Sequence, residues 1–254
     1  MDSDIKISVI IPAYNSSKHI ENSLKSVISQ TEEVHEIIVI DDGSKDDTLQ
    51  KIEKFKTDNN LDNLIFISQQ NSGPSKARNR GIEVSSGNYI AFLDSDDQWL
   101  PEKIKIQSST ARKFPKAAII CTEMFHKNNE KEVIEINFAS ALWSNPFYTS
   151  TMMIRRDVLD EFKFDESQKY SEDFKLYLQI CHKYLALKIN RKLIEYNTTK
   201  SVRKNALSAN LWAMEKGELS NFYYFFKQKK ISLLQFLAVS SFSLLKFGKR
   251  FVLQ

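Results

Sequence analysis

Cysteine is scarce in this chain of 254 residues. Only Cys121 and Cys181 occur, and both stand in apolar stretches. Two such thiols exclude a disulfide framework of the kind that holds small secreted domains together, and we expect both to be buried and reduced. Residues 1–4, Met-Asp-Ser-Asp, also lack a basic segment that leads into an apolar run. No secretory signal is therefore expected, and a cytoplasmic location is predicted.

Zinc-like histidine spacing and long apolar runs are also missing. The four histidines are His19, His35, His126 and His182. None has the short spacing to a second ligand that zinc sites show, so structural or surface roles are expected. Near the C-terminus only 15 residues separate Lys230 from Lys246, fewer than the ~20 apolar residues that cross a bilayer.

Charge is unevenly distributed along the chain. Residues 200–254 carry ten Lys or Arg against two Glu, whereas the preceding residues carry 26 Lys or Arg against 30 Asp or Glu. On a helix, five leucines of this tail would gather on one side: Leu233, Leu234, Leu237, Leu244 and Leu245. The pattern favours peripheral attachment to the cytoplasmic leaflet of a membrane. The alternative is a helix packed on the core of the domain.

Apolar strands alternate with amphipathic helices along the first half of the chain. Strands are predicted at 7–11, 36–40, 64–67, 89–93 and 117–121, and helices at 16–30, 47–55, 75–84 and 101–113. The first strand is expected to end at Pro12, which cannot donate to a ladder. Because the strands are apolar on both faces, we predict an α/β fold with a mostly parallel sheet between helices.

The pattern is looser beyond residue 122. Strands are predicted at 133–136 and 150–154, a short helix at 156–162, and a longer helix from residue 171. Ser16 or Ser17 is expected to cap the first helix of the chain, and Ser171 is expected to cap this last one.

Polar residues follow three of the predicted strands, at 12–15, 41–44 and 94–97. Ligands of parallel sheets bind outside the carboxyl ends of the strands, so we expect these clusters to converge. Asp94 and Asp96 would leave an extended backbone on the same side, which suits Mg²⁺ or Mn²⁺. The alternative for this cluster is a solvated turn.

Five segments occur in an order typical of one enzyme family. They are Ser-Val-Ile-Ile-Pro-Ala-Tyr-Asn (8–15), Ile-Ile-Val-Ile-Asp-Asp-Gly-Ser (37–44), Ala-Arg-Asn-Arg-Gly-Ile (77–82), Gly-Asn-Tyr-Ile-Ala-Phe-Leu-Asp-Ser-Asp-Asp (87–97) and Glu-Asp (172–173). Over roughly residues 5–200 the chain resembles the family 2 glycosyltransferases of bacterial surface-polysaccharide synthesis. Those enzymes have the GT-A fold, a Rossmann-like α/β architecture.

The resemblance implies roles for individual residues. A nucleotide-sugar donor, usually a UDP-sugar, would be bound by Pro12, Ala13, Tyr14, Asp42, Arg78, Asp94 and Ser95. Asp96, together with Asp94, would bind Mg²⁺ or Mn²⁺, which would bridge the two phosphates. Asp173 would be the base that takes the proton of the acceptor hydroxyl in an inverting transfer.

The implied enzyme transfers a hexosyl or N-acetylhexosaminyl group to a glycan or lipid-linked acceptor. Residues 1–122 would be the nucleotide-sugar-binding half, 123–199 the acceptor-binding half of the same domain, and 200–254 a helical tail at the inner membrane surface. A non-catalytic nucleotide-sugar-binding or assembly subunit is the alternative. A sugar nucleotidylyltransferase is disfavoured because no glycine follows the first strand. Nucleic-acid binding is disfavoured because the basic tail residues are interleaved with Leu and Phe.

Overall fold

The apolar segments form the strands of one large sheet and the helices that cover it. The computed structural model describes residues 4–124, 132–197 and 209–252. The strands are β1 Ile7–Ala13, β2 Glu36–Asp41, β3 Leu64–Ser68, β4 Tyr89–Phe92, β5 Gln98–Trp99, β6 Ala117–Glu123, β7 Val133–Ile136, β8 Met153–Arg155, β9 Leu185–Lys192 and β10 Ile194–Glu195. The helices are α1 Ile20–Ile28, α2 Thr48–Asp58, α3 Pro74–Val84, α4 Lys103–Lys113, α5 Phe138–Trp143, α6 Arg156–Glu161, α7 Glu172–Lys183, α8 Leu211–Lys227 and α9 Leu233–Val252. His126 and the predicted boundary near residue 200 lie outside the described residues.

The main sheet has eight strands in the order β3-β2-β1-β4-β8-β6-β9-β7. The first four of these strands run parallel to one another, and β6 runs parallel to β9. β8 is antiparallel to both of its neighbours, and β7 is antiparallel to β9. The predicted α/β fold with a mostly parallel sheet is confirmed. Cys121 and Cys181 are buried free thiols, as predicted.

Alternate residues of the central strands bury opposite faces of the sheet. Ile10 of β1 and Phe92 of β4 belong to a core that also includes residues of α7 and α8. Val9 and Ala91 belong to a second core on the other face, shared with α1 and α4. Burial of a large apolar side chain stabilises the fold by ~1.5–3 kcal/mol, so the two cores hold the strand ends in a fixed arrangement.

Helix α3 packs very close to β1. A Cβ atom at Gly81 would lie 2.5 Å from Cγ2 of Ile10, closer than nonbonded carbon atoms approach. Glycine therefore permits a separation that any other residue would widen. One turn earlier on the same helix, Arg78 reaches the end of β4, the neighbour of β1.

Strand β1 continues through Pro12 to Ala13, so the prediction that it ends before Pro12 is wrong. Pro12 lies opposite Ile40 of β2 in the parallel register. On the other side of β1, Leu93 N donates to the carbonyl of Ile10, and the pairing with β4 ends there. The backbone groups of residues 10 and 12 point to the same edge of β1, toward β4. Because the pairing with β4 ends at Ile10, the missing N–H of Pro12 removes no hydrogen bond from the sheet.

The segment predicted as a strand at 150–154 divides into two elements. Residues Thr149–Thr151 form a 3-10 turn, and β8 begins only at Met153. The hydroxyl groups of Thr149 and Ser150 hydrogen-bond to carboxylates of other segments. These contacts hold the chain in a turn where the composition suggested an extended strand.

Two predicted helix caps are also wrong. Helix α1 begins at Ile20 without a side-chain cap, and the Ser16 hydroxyl lies against that of Ser95 instead. Ser171 precedes α7 in a left-handed conformation with φ 55°, and its hydroxyl donates to the carbonyl of Met214. In both places a tertiary hydrogen bond uses the hydroxyl that would otherwise serve the helix N-terminus.

Helices α8 and α9 pack against each other and on the domain. Phe247 of α9 is buried, and the ring of Phe242 lies 5.5 Å from that of Trp143 on α5. The five tail leucines remain outside this contact, with Leu234 78% and Leu245 73% exposed. In the described part of the chain, no helix combines the length and the apolarity that a bilayer span needs.

Candidate active site

The turns that follow β1, β2 and β4 lie side by side. The N–H of Asn15 donates to Ser44 Oγ at 2.9 Å, which joins the first turn to the second. The hydroxyl oxygens of Ser16 and Ser95 are 2.7 Å apart, which joins the first turn to the third. The three polar clusters therefore converge at the carboxyl ends of the parallel strands, as expected.

Tyr14 projects from the first of these turns. Its side chain is 48% exposed, whereas the preceding Ala13 is buried and Pro12 is half-buried. A flat, accessible ring at this edge of the sheet can stack on a planar ligand.

The buried carboxylate of Asp42 organises the loop that follows β3. Its Oδ1 accepts hydrogen bonds from Gln69 Nε2 at 2.8 Å and from Ser72 N at 2.9 Å. Its Oδ2 accepts a hydrogen bond from Gly73 N at 2.8 Å. Asp42 thus fixes the loop that leads into α3, and its predicted contact with the donor stays a prediction.

The neighbouring Asp41 braces its own turn. Its Oδ2 accepts a hydrogen bond from the Ser68 hydroxyl at 3.0 Å, and its Oδ1 accepts one from Ser44 N at 3.3 Å. Gly43 has φ 76°, and a Cβ there would lie 2.9 Å from the backbone nitrogen of Asn71. Only glycine fits both the positive φ and the close backbone contact.

The turn after β4 presents carboxylates in two different environments. Asp97 is buried, and its carboxylate accepts hydrogen bonds from the Ser150 hydroxyl and, at 3.2 Å, from Asn197 N. Asp94 and Asp96 are partly exposed. Asp97 therefore stabilises the turn, whereas Asp94 and Asp96 remain partly accessible to solvent.

The electrostatics of this turn favour a nearby positive charge. Burial and then the charge of Asp94 raise the pKa of Asp96, and His19 lowers it. Burial and the charge of Asp94 raise the pKa of Asp97 to about 7. Carboxylates this close disfavour each other's ionised form, so a cation between them would be stabilising.

Arg78 joins this turn to the start of α7. Its Nη2 donates to Asp94 Oδ1 at 2.9 Å, and its Nη1 donates to Glu172 Oε1 at 3.2 Å. Its side chain is only 8% exposed, and its Nε is buried without a hydrogen-bond partner among the described residues. Burial opposes the charge of Arg78, but the carboxylates of Asp94 and Glu172 raise its pKa above the usual value. The guanidinium is therefore a permanent positive charge at the centre of the site.

Asp173 follows Glu172 in the first turn of α7 and is partly exposed. Its Oδ2 accepts a hydrogen bond from Thr149 Oγ1 at 3.3 Å, and its Oδ1 accepts one from Phe174 N at 2.7 Å. Burial raises the pKa of Asp173, while Arg78 opposes the rise. Because burial outweighs the hydrogen bonds from Phe174 N and Thr149, which lower the pKa, Asp173 is a better proton acceptor than an exposed aspartate.

Trp99 and Trp143 both contact other elements of the domain. Trp99 is buried and its Nε1 donates to the Ser150 carbonyl at 2.8 Å, so it packs under the site. Trp143 contacts α9. The sequence did not predict that His19, Thr149 and Ser150 lie at the site. The run of three hydroxyl residues at 149–151 was the one feature that could have indicated it.

The residues at this edge fit a divalent cation shared with a ligand. Across residues 4–124, 132–197 and 209–252, no three His, Cys, Asp or Glu side chains form a complete metal site. Mg²⁺ in enzymes is often held by one or two carboxylates, with water and substrate phosphate as the remaining ligands. Asp94 and Asp96 supply that smaller set, and the raised pKa of Asp96 makes a cation favourable there.

Comparisons with known proteins identify the family to which the chain belongs. The family model for glycosyl transferase family 2 matches residues 8–164. An uncharacterised glycosyltransferase of Rickettsia conorii is 36% identical over 190 residues, which are 71% of this chain and 31% of that protein. The chain therefore spans about a third of the length of this relative. WfaP of Escherichia coli, described as a UDP-Glc:alpha-D-GlcNAc-diphosphoundecaprenol beta-1,3-glucosyltransferase, is 32% identical over 216 residues, 80% of each chain.

A solved structure shares the architecture. The mannosyltransferase PcManGT of Pyrobaculum calidifontis, in complex with GDP-Man and Mn²⁺, superposes with a TM-score of 0.70 over 94% of this chain and 68% of that one. At 16% identity this likeness concerns the fold. The matched residues 8–164 include all three strand-end turns. The chain belongs to glycosyl transferase family 2, as its motifs predicted.

Proposed function

We propose that this protein is an inverting, metal-dependent glycosyltransferase. It moves a hexosyl or N-acetylhexosaminyl group from a nucleotide sugar to a hydroxyl of a lipid-linked glycan in surface-polysaccharide synthesis. The observation that carries the proposal is the pair of contacts from Arg78 to Asp94 and Glu172. These contacts bring the proposed donor-side carboxylates beside the proposed base, Asp173.

Donor binding belongs to residues 1–122 in this proposal. Pro12, Ala13 and Tyr14 contact the base and ribose, with the Tyr14 ring stacked on the base. Asp42 shapes this end of the pocket and accepts a hydrogen bond from the donor. A UDP-sugar is the expected donor, and the name of WfaP, which includes UDP-Glc, supports that choice.

The diphosphate lies over the turn after β4. Asp94 and Asp96 would hold Mg²⁺ or Mn²⁺, and Ser95 and Arg78 would complete the polar surroundings of the donor. When bound, the cation acts as a Lewis acid and stabilises the charge of the departing nucleoside diphosphate. The presence of Mn²⁺ with GDP-Man in the PcManGT complex supports this part of the proposal. Arg78 also keeps Asp94 in one orientation.

Asp173 accepts the proton of the acceptor hydroxyl as its oxygen attacks the anomeric carbon. The bond between that carbon and the donor phosphate breaks, and the nucleoside diphosphate leaves from the opposite side. A single displacement of this kind inverts the configuration. The pKa of Asp173, raised by burial, supports its assignment as the base.

The acceptor binds to the half formed by residues 123–199, and the tail of residues 200–254 meets the cytoplasmic face of the membrane. The exposed leucines of α9 and its basic end, with Lys249 and Arg250, support this placement. Such helices lie in the interface of anionic membranes. The diphosphoundecaprenol in the name of WfaP supports a lipid-linked acceptor.

A donor screen tests the proposal. We would measure melting temperature and donor hydrolysis with UDP-glucose, UDP-N-acetylglucosamine, UDP-galactose and GDP-mannose, each with and without Mn²⁺. We expect one nucleotide sugar to raise the melting temperature in the presence of Mn²⁺ by mass action, and to be turned over. Binding without hydrolysis, and without transfer to any acceptor tried, would favour a non-catalytic binding subunit. No shift with any donor would contradict donor binding altogether.

A further inference from the structure

A short buried turn connects the two sides of the candidate site. Residues Thr149–Thr151 carry three consecutive hydroxyls, and two of them reach these sides. Ser150 contacts the turn at 94–97, and Thr149 contacts Asp173. We propose that Thr149 and Ser150 are positioning residues that set the separation between the donor-side carboxylates and the base. This inference rests on the proposed function, and it assigns a role to a turn that lies outside the five segments on which the family resemblance rests.

Ser150 holds the turn at 94–97 at two points. Its Oγ accepts a hydrogen bond from Asp94 N at 3.1 Å and donates one to Asp97 Oδ2. The turn itself is closed by a hydrogen bond of 3.0 Å from Asp97 N to the Asp94 carbonyl. Because Asp96 lies inside this closed turn, the Ser150 hydroxyl constrains both proposed metal ligands.

Thr149 orients Asp173 from a different element of the fold. Its Oγ1 donates to Asp173 Oδ2 and accepts a hydrogen bond from the Tyr177 hydroxyl, each at 3.3 Å. Burial raises the pKa of Tyr177, so that phenol stays protonated and remains the donor to Thr149. The Thr149 proton is therefore directed to the carboxylate. With Phe174 N on the other oxygen, both oxygens of Asp173 are held.

The backbone of the turn at 149–151 is also held by buried side chains of other segments. Trp99 Nε1 donates to the Ser150 carbonyl at 2.8 Å, and Gln107 Nε2 donates to the Thr151 carbonyl at 3.0 Å. Gln107 in turn accepts a hydrogen bond from Lys103 Nζ at 2.7 Å, and that Nζ lies 3.9 Å from the centre of the Trp99 ring. Together, these buried side chains hold in place the backbone that carries the two hydroxyls.

Thr149 and Ser150 are neighbours in the chain, which limits how far the two groups that they contact can move apart. Thr149 and Ser150 are consecutive, so the two hydroxyls cannot move apart without breaking buried hydrogen bonds. Displacement of a reacting group by about 1 Å can lower a rate by ~10²-fold. A turn that contacts both carboxylate groups keeps the base and the donor in register.

The Thr149 role is tested by Thr149→Val, which keeps the shape of the side chain and removes the hydroxyl. We expect its kcat for UDP-sugar hydrolysis to fall about tenfold while the dissociation constant for UDP with Mn²⁺, measured by calorimetry, stays within about twofold. Thr149→Ser should restore kcat. Thr122→Val is the matched control, because the buried Thr122 hydroxyl has no hydrogen-bond partner among the described residues. It should leave both quantities unchanged.

The Ser150 role is tested by Ser150→Ala. We expect the affinity for UDP with Mn²⁺ to weaken about tenfold and the KM for the donor to rise, because the turn at 94–97 loses both contacts. Ser240→Ala is the control, since the Ser240 hydroxyl is also buried without a partner among the described residues. Calorimetry should show no change for this control.

Two results would overturn the inference. The first is Ser150→Ala binding UDP and Mn²⁺ as tightly as wild type. The second is a crystal structure of Thr149→Val in which the Asp173 carboxylate keeps its position. Neither measurement requires turnover, so both test the positioning roles of Thr149 and Ser150 even if the wild type transfers no sugar. Wild-type binding without turnover would instead count against the proposed function.

Discussion

Arg78 and Asp94 are joined by a hydrogen bond of 2.9 Å between Nη2 and Oδ1, and the other terminal nitrogen of Arg78 reaches Glu172. One guanidinium thus spans two carboxylates from segments 78 residues apart in the chain. Removing Arg78 would leave the buried carboxylate of Glu172 without its charged partner, whereas the partly exposed Asp94 would still be solvated. Loss of one side of a buried ion pair typically destabilises a protein by ~3–5 kcal/mol.

Replacement of Arg78 by Lys should therefore lower activity even though the positive charge is kept. An ammonium lacks the planar fork that can donate to two carboxylates at once. We expect Arg78→Lys to lose about tenfold or more in kcat/KM, and Arg78→Met to unfold at a lower urea concentration as well. Arg80→Lys is the control, because Arg80 is half-exposed and pairs with Glu83 on the same helix. An Arg78→Lys variant with wild-type turnover would show that the fork is dispensable.

Removal of Asp96 should abolish the effect of the metal on donor binding. In Asp96→Ala we expect the Mn²⁺-dependent part of the donor-induced rise in melting temperature to disappear, because one of two proposed oxygen ligands is lost. The exposed Asp58, which pairs with Lys54, provides the control variant Asp58→Ala. A full Mn²⁺-dependent shift in Asp96→Ala would rule out the metal assignment.

Asp173→Asn should separate binding from chemistry. The amide keeps the size of the carboxylate but cannot accept the proton of the acceptor hydroxyl. We expect UDP and Mn²⁺ to bind within about threefold of wild type, while turnover falls by about 10²-fold or more, in the range that general bases contribute. Calorimetry and a hydrolysis assay measure the two effects. Transfer at a near wild-type rate would exclude Asp173 as the base.

Stability should decline as the pH rises toward neutrality. Burial and then the charge of Asp173 raise the pKa of Glu172 to about 7, against its ordinary value of 4.5. Between these values the folded chain binds more protons than the unfolded chain, so the free energy of unfolding falls with rising pH. The slope from this group is at most about 1.4 kcal/mol per pH unit. Urea titrations at pH 5 and pH 7 should show a smaller decline for Glu172→Gln, and an equally steep one would remove Glu172 as the cause.

Charges on the outer face of α9 should weaken membrane association. Leu234→Glu and Leu245→Glu place carboxylates on the most exposed tail leucines, and we expect sedimentation with anionic vesicles to fall several-fold. UDP binding should be unchanged in both variants. Ile65→Glu, at an exposed position on the edge strand β3, is the control. Equal sedimentation of the tail variants and the wild type would contradict the membrane placement.

The convergence of the three turns could be predicted because parallel strands place their carboxyl ends at one edge of a sheet. The contacts of Arg78 could not, because they depend on how closely α3 approaches β1 and on where α7 begins. Ser16 and Ser171 are plausible caps in sequence, yet their hydroxyls are used in tertiary contacts. Local patterns carry no information about such long-range partners.

The turn at 149–151 is another feature that local sequence patterns could not predict. Its composition resembles that of a strand, and only the positions of Asp97 and Asp173 in space explain why it bends. Asp42 is a similar case, because its sequence context predicts a ligand contact but not the hydrogen bonds that its carboxylate accepts from Gln69, Ser72 and Gly73.

The contact between Gly81 and Ile10 extends the sensitive region well beyond the residues that would touch a substrate. A methyl group at position 81 would collide with Ile10, and relief of that collision would push α3 outward. Arg78 would travel with its helix, away from Asp94. A substitution of this buried glycine, which would touch no ligand, would thus disturb the candidate active site by displacing the whole of α3.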